Sequence, residues 1–254
     1  LLRQYQGRGG RLLQVDERVV VMAYIGAIGD GFASFFSIWQ VCILQISPFF
    51  LAYVTGLYFA AGALKSEASL GGRVLLPALS FAPGFTVMYG LLTMTGQPIG
   101  RALVYNLGTL EFIAGGYILL VSLALLLASW ITLLEHLCRP VLLAAVSLLL
   151  GISFALIYSP CITPALSRIL GLAGRPENAV YGGTLAIFYA TGICLALTLT
   201  ALVLVFLAAK AGAVRRRAGA VRIACGLILA ILAGLNLSNT MIYYKAFFLG
   251  FLAG

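Results

Sequence analysis

Ser159-Pro160-Cys161-Ile162-Thr163-Pro164 interrupts an apolar run that extends from Val141 to Leu172. A membrane core of about 30 Å is crossed by ~20 helical residues at about 1.5 Å each. The run is longer than that, so it is expected to kink, re-enter or fold back. Its two prolines supply the place. In a continuous helix Pro164 could not donate to the carbonyl of Pro160, nor Pro160 to that of Leu156, and lipid offers no substitute partner. The helix is expected to restart around Cys161. That puts the thiol at a half-helix N-terminus, where the dipole favours the thiolate over the thiol.

A second long run, Val19–Leu64, holds Gln40-Val41-Cys42-Ile43-Leu44-Gln45-Ile46-Ser47-Pro48. Its excess length predicts a break near Pro48. Gln45, Gln40 and Trp39 flank the cysteine and could hydrogen-bond a broken backbone. A lone cysteine in an apolar helix is most often a small filler, and Cys194 and Cys225, without prolines, are read that way. Cys42 and Cys161, each proline-linked and one per half, are read as a reactive pair. If both face the same interface, with Cα atoms within about 7 Å, they can form a disulfide.

Composition agrees with a membrane protein. The chain has 254 residues, 62% hydrophobic and 9% charged, against roughly 25% charged in soluble domains. Further runs near 74–96, 105–132, 179–209 and 219–252 bring the expected spans to six. A β-barrel would need alternating segments of about ten residues, which are absent. The net charge of +9 lies between apolar runs, where it sets topology and meets lipid headgroups, so no nucleic-acid partner is expected. Basic residues divide evenly between the two sides. The short Lys210–Arg222 loop is the densest cluster and short loops weigh most, which places it in the cytoplasm and both termini outside. The five dispersed cysteines exclude a disulfide framework and a zinc knuckle. The start at Leu1-Leu2-Arg3, without Met, suggests further residues upstream.

The halves resemble each other. Cys42 and Cys161 are 161 − 42 = 119 positions apart. Phe81-Ala82-Pro83-Gly84 is similar to Tyr189-Ala190-Thr191-Gly192, and Ile113-Ala114-Gly115-Gly116 to Ile223-Ala224-Cys225-Gly226. Three spans per half would insert the second half upside down, a plan that places functional sites at the repeat interface. The expected architecture is an all-α membrane protein: a polar basic arm over 1–18 and three-helix repeats over 19–132 and 133–254, the first helix of each broken near its cysteine.

Ser159 to Pro164, followed by Gly171, resembles the second cysteine motif of the CcdA/DsbD transmembrane thiol–disulfide oxidoreductases. Gly31-Phe32-Ala33-Ser34-Phe35-Phe36 through Cys42 to Pro48, Tyr53 and Gly56 resembles the first. The resemblance covers nearly the whole chain. It implies that Cys42 and Cys161 are the redox pair of a multi-pass protein of the bacterial inner membrane. They would carry reducing equivalents from cytoplasmic thioredoxin to extracytoplasmic thioredoxin-like proteins without a bound cofactor. Val41 and Gln45 stand where the family usually has prolines, and Gly31–Phe35 falls three residues early, counted back from Cys42. A specialised MauF-type branch, associated with methylamine dehydrogenase maturation, is similar to the same module, as is cytochrome c biogenesis proper.

Other residues divide between functional and structural readings. Asp30 is either a mid-membrane carboxylate serving as proton relay or an interfacial N-cap for a helix from Phe32. Glu135-His136-Leu137-Cys138-Arg139-Pro140 lacks a fourth metal ligand and reads as a solvated connection, so no metal site is expected. Glu111 and Arg101 read as span-end anchors. Two rival functions share the architecture: an inverted-repeat exporter of a small solute or metal ion, and a non-catalytic membrane subunit of a maturation complex, which would have a membrane-protein partner.

Overall fold

The computed structural model describes residues 9–36, 41–63, 70–127, 140–157, 164–211 and 218–238, with Thr240 and Tyr243. Among these the chain forms nine α-helices and no strand. They are α1 (Gly9–Phe36), α2 (Val41–Ala63), α3 (Leu70–Thr93), α4 (Pro98–Tyr105), α5 (Leu107–Leu127), α6 (Pro140–Ile157), α7 (Pro164–Ala173), α8 (Ala179–Lys210) and α9 (Ala218–Leu237).

Each overlong run holds two helices. The run from Val141 is shared by α6 and α7, which lie on either side of the cysteine motif; Pro164 is the first residue of α7, the position where its missing N–H costs least. The run from Val19 is shared by α1 and α2, but here the expected position needs correction. Pro48 lies inside α2, which is helical from Val41 through to Ala63. Residues 37–40, between the two helices, lie outside the described ones, as do Pro160 and Cys161 of the second motif.

Two further expectations change. Helix α1 reaches back to Gly9 and takes in much of the basic arm. Asp30 is therefore an interior residue of α1 and caps no helix starting at Phe32. Arg222, expected in a loop, is a residue of α9.

The helices over Val74–Thr93, Leu107–Leu127, Ala179–Lys210 and Ala218–Leu237 are each long and apolar enough to cross a membrane, and the chain is a multi-pass membrane protein. Large apolar side chains cover its outside, Phe112, Leu120 and Leu123 on α5 and Leu195, Leu199 and Val203 on α8 among them. In water such a surface would aggregate; in lipid it is the solvated face.

The most extensive helix contacts are α3 with α6, α1 with α8, α3 with α8, and α5 with α9. Glycines set the first two. A Cβ on Gly84 of α3 would strike the Leu148 carbonyl of α6, and one on Gly151 of α6 would strike the Phe81 carbonyl of α3. The other crossing repeats this. A Cβ on Gly192 of α8 would strike the Ile28 carbonyl of α1, and one on Gly31 of α1 the Tyr189 carbonyl of α8. Backbones this close exclude any side chain, which is the usual way apolar helices gain packing where lipid gives no hydrophobic driving force. Helices α5 and α9 run antiparallel, since Ser122 Oγ donates to the Gly226 carbonyl (2.8 Å) and Asn236 Nδ2 to the Glu111 carbonyl (2.7 Å).

Candidate functional site

Both cysteine motifs fall at the hand-over from one helix to the next. Cys42 is the second residue of α2; its backbone is described and its side chain is not, and the same holds for Gln45. The first N–H groups of a helix have no intrahelical partner and carry the positive end of its dipole. Position 42 therefore has the local field that the sequence reading assigned to Cys161.

Buried residues lie near each hand-over, although Phe36, the last residue of α1, is 57% exposed. On the first side Ser34 near the end of α1, and Ser47, Phe49 and Phe50 on α2, are buried. On the second, Phe154 to Ile157 close α6 and Leu166 opens the described side chains of α7, all buried. The flanks are held by polar as well as aromatic contacts. Tyr189 of α8 donates to Ser34 Oγ at 3.0 Å. Tyr53 of α2, fully buried, lies 2.7 Å from Ser147 Oγ of α6. Ser147 spends its own proton on the Leu143 carbonyl at 2.7 Å, so Tyr53 is the donor. Phe81 of α3 packs on Phe50 of α2 (centroids 4.7 Å apart) and edge-on to Phe154 of α6 (5.6 Å).

Helices α3 and α8, each crossing the first helix of the other half, thus reach both motifs. Asp30 lies one residue before Gly31, on the exposed side of α1. Cys194 and Cys225 are buried free thiols. Cys225 stands against Gly56 of α2, where an added Cβ would lie 3.2 Å from the cysteine Cβ, as suits a small filler. Arg101 is exposed on α4, and Glu111 lies on α5 with its carbonyl held by Asn236. The His136–Cys138 connection lies outside the described residues.

The hydroxyl pairs escape a reading of sequence alone. Tyr189 and Ser34 are 155 positions apart, and nothing local links them. The one available signal was the likeness of the Tyr189–Gly192 and Phe81–Gly84 segments, which foretells that both aromatic residues occupy related places.

Comparison with known proteins gives two relatives. The chain is 28% identical over 177 residues to the cytochrome c-type biogenesis protein CcdA of Halalkalibacterium halodurans, covering 67% of this chain and 73% of that protein. It is 30% identical over 172 residues to a putative cytochrome c-type biogenesis protein of Haemophilus influenzae, covering 64% of this chain and 70% of the relative. No family model matches the chain. No solved structure matches it either.

Proposed function

The chain belongs to the CcdA/DsbD family of membrane proteins, and from that premise we propose that it is a transmembrane thiol–disulfide relay whose redox pair is Cys42 and Cys161. The observation that supports this reading is the place of the two cysteines in the chain, Cys42 in the first turn of α2 after α1 and Cys161 in the sequence between α6 and α7. A cysteine in the first turn of α2 is at the positive end of the helix dipole, which favours the thiolate.

The chemistry balances within the cysteines. A thioredoxin thiolate attacks one sulfur of the Cys42–Cys161 disulfide, forming a mixed disulfide and releasing the other cysteine as thiolate. The second thioredoxin thiolate then attacks the thioredoxin sulfur of that mixed disulfide and expels the relay cysteine as thiolate, leaving thioredoxin oxidised and both relay cysteines reduced. On the opposite side, one relay thiolate attacks the disulfide of a thioredoxin-like acceptor, and its partner resolves the mixed disulfide. Two electrons pass, and protons follow the leaving thiolates. The donor is cytoplasmic thioredoxin and the acceptor serves cytochrome c biogenesis. Asp30, one residue from the α1–α8 crossing, is the candidate proton carrier.

The architecture behind this relay is six spans in two inverted repeats, 19–132 and 133–254. The reciprocal glycine crossings support it: Gly31 corresponds to Gly151 (151 − 31 = 120), one from the cysteine offset of 119, and Gly84 to Gly192 (192 − 84 = 108), two from the Ile113–Ile223 offset (223 − 113 = 110). A second reading keeps the chemistry and changes the acceptor. Val41 and Gln45 in place of prolines, with α2 helical through Pro48, suit a specialised MauF-type branch serving a periplasmic enzyme such as methylamine dehydrogenase. Reconstituting the chain in vesicles with thioredoxin inside tests the relay. Reduction of an external disulfide protein is expected, and it stops with either Cys42→Ser or Cys161→Ser. Full transfer by Cys42→Ser would overturn it.

A further inference from the structure

Arg222 lies in the second turn of α9, is 8% exposed, and its Nε has no hydrogen-bond partner. A buried guanidinium nitrogen without a partner is costly. Among the described residues, the helices packed on α9 are α5 and α2. Helix α2 contains no acidic residue, and the only one on α5, Glu111, lies at the far end of the antiparallel pair beside Asn236. One turn beyond Arg222, Gly226 is pressed against Leu126 near the end of α5, so the guanidinium belongs to the end of the bundle where α5 finishes and α9 begins.

Long side chains on a helix lean back towards its N-terminus. The Arg222 charge thus lies over the first turn of α9, whose N–H groups have no intrahelical partners and carry the positive dipole end. Two sources of positive charge converge there, at the start of an apolar span. That is the depth of lipid headgroups, and the chain from Lys210 to Arg222 contains no acid to compete. We propose that Arg222 and the first-turn amides of α9 form a binding site for the headgroup phosphate of an anionic phospholipid. The lipid supplies a counter-charge that the described residues do not, and clamps the α5–α9 pair.

Native mass spectrometry of the detergent-purified full chain tests this with phosphatidylglycerol and phosphatidylcholine as probes. Retention of phosphatidylglycerol is expected to weaken about tenfold in Arg222→Gln, the loss of one charge-assisted hydrogen-bond set. Lys210→Gln, at an exposed residue stacked on Phe206 (4.5 Å), is expected to change it little. Equal retention by Arg222→Gln would overturn the site, and displacement of the lipid by millimolar inorganic phosphate would overturn the lipid as its ligand. Should Arg222→Gln not fold, the wild-type chain in nanodiscs decides. Its melting temperature is expected to rise when phosphatidylglycerol replaces phosphatidylcholine, and no rise would overturn the proposal. So would a loss of stability in Glu67→Gln or Glu135→Gln equal to that in Arg222→Gln, which would assign the counter-charge to an internal carboxylate.

Discussion

The two glycine crossings share a geometry and differ in chemistry. Where α3 meets α6, Phe81 packs edge-on against Phe154; where α8 meets α1, Tyr189 hydrogen-bonds Ser34. Tyr189 stands 108 positions after Phe81, the offset that links Gly192 to Gly84, and Phe154 stands 120 after Ser34, the offset that links Gly151 to Gly31. Both crossings carry aromatic contacts, Tyr24 with Phe188 at the second, but only the second adds a hydroxyl pair. The one with the hydroxyl pair lies beside the cysteine motif whose proline is Pro48, the other beside the motif with prolines on both sides. Glycine fixes how near the backbones come, and the side chains around it are free to diverge. The polar pair then holds in place a hand-over that fewer prolines define.

The strongest way to break the comparison is to fill the crossings. Gly84→Val and Gly192→Val should each destabilise the chain by about 3 kcal/mol, because the new methyls meet backbone that cannot yield. Thermal denaturation in detergent should show losses of similar size, and a loss at one site only would deny their equivalence. Next in size is Phe81→Tyr, which puts a hydroxyl where its counterpart's partner is Phe154. It should cost about 1–3 kcal/mol, and Phe154→Ser in the same chain should recover part of that.

Much of this was legible in the sequence and some was not. The excess length of the runs from Val19 and Val141 was enough to require a kink, re-entry or fold-back in each, and the structure divides each run between two helices. The position of the first hand-over was not, because a proline inside a membrane helix is tolerated when neighbours re-satisfy the freed carbonyl, and α2 continues through Pro48. The Tyr189–Ser34 and Tyr53–Ser147 pairs depend on which spans become neighbours, and an apolar pattern carries no such information. Arg222 misled for a related reason. A basic residue at a span end reads as a topology signal, and only packing against α5 and α2 reveals it as buried.

Smaller effects sharpen the contrast. Tyr189→Phe removes one hydrogen bond and should cost about 0.6–1.5 kcal/mol, again by thermal denaturation; Phe→Leu at position 154 should leave the polar crossing untouched. Smallest is Asp30→Asn, which should slow electron transfer in reconstituted vesicles without altering stability or the cysteine disulfide. An unchanged rate would remove Asp30 from the proton path.

The most direct measurement is of the disulfide itself. The chain is oxidised mildly, free thiols are alkylated, and the peptides bearing Cys42 and Cys161 are sought by mass spectrometry without reduction. A linked pair that disappears on incubation with reduced thioredoxin, with Cys194 and Cys225 unlinked throughout, is the predicted result. Recovery of Cys42 and Cys161 as separate alkylated peptides after oxidation would contradict the relay.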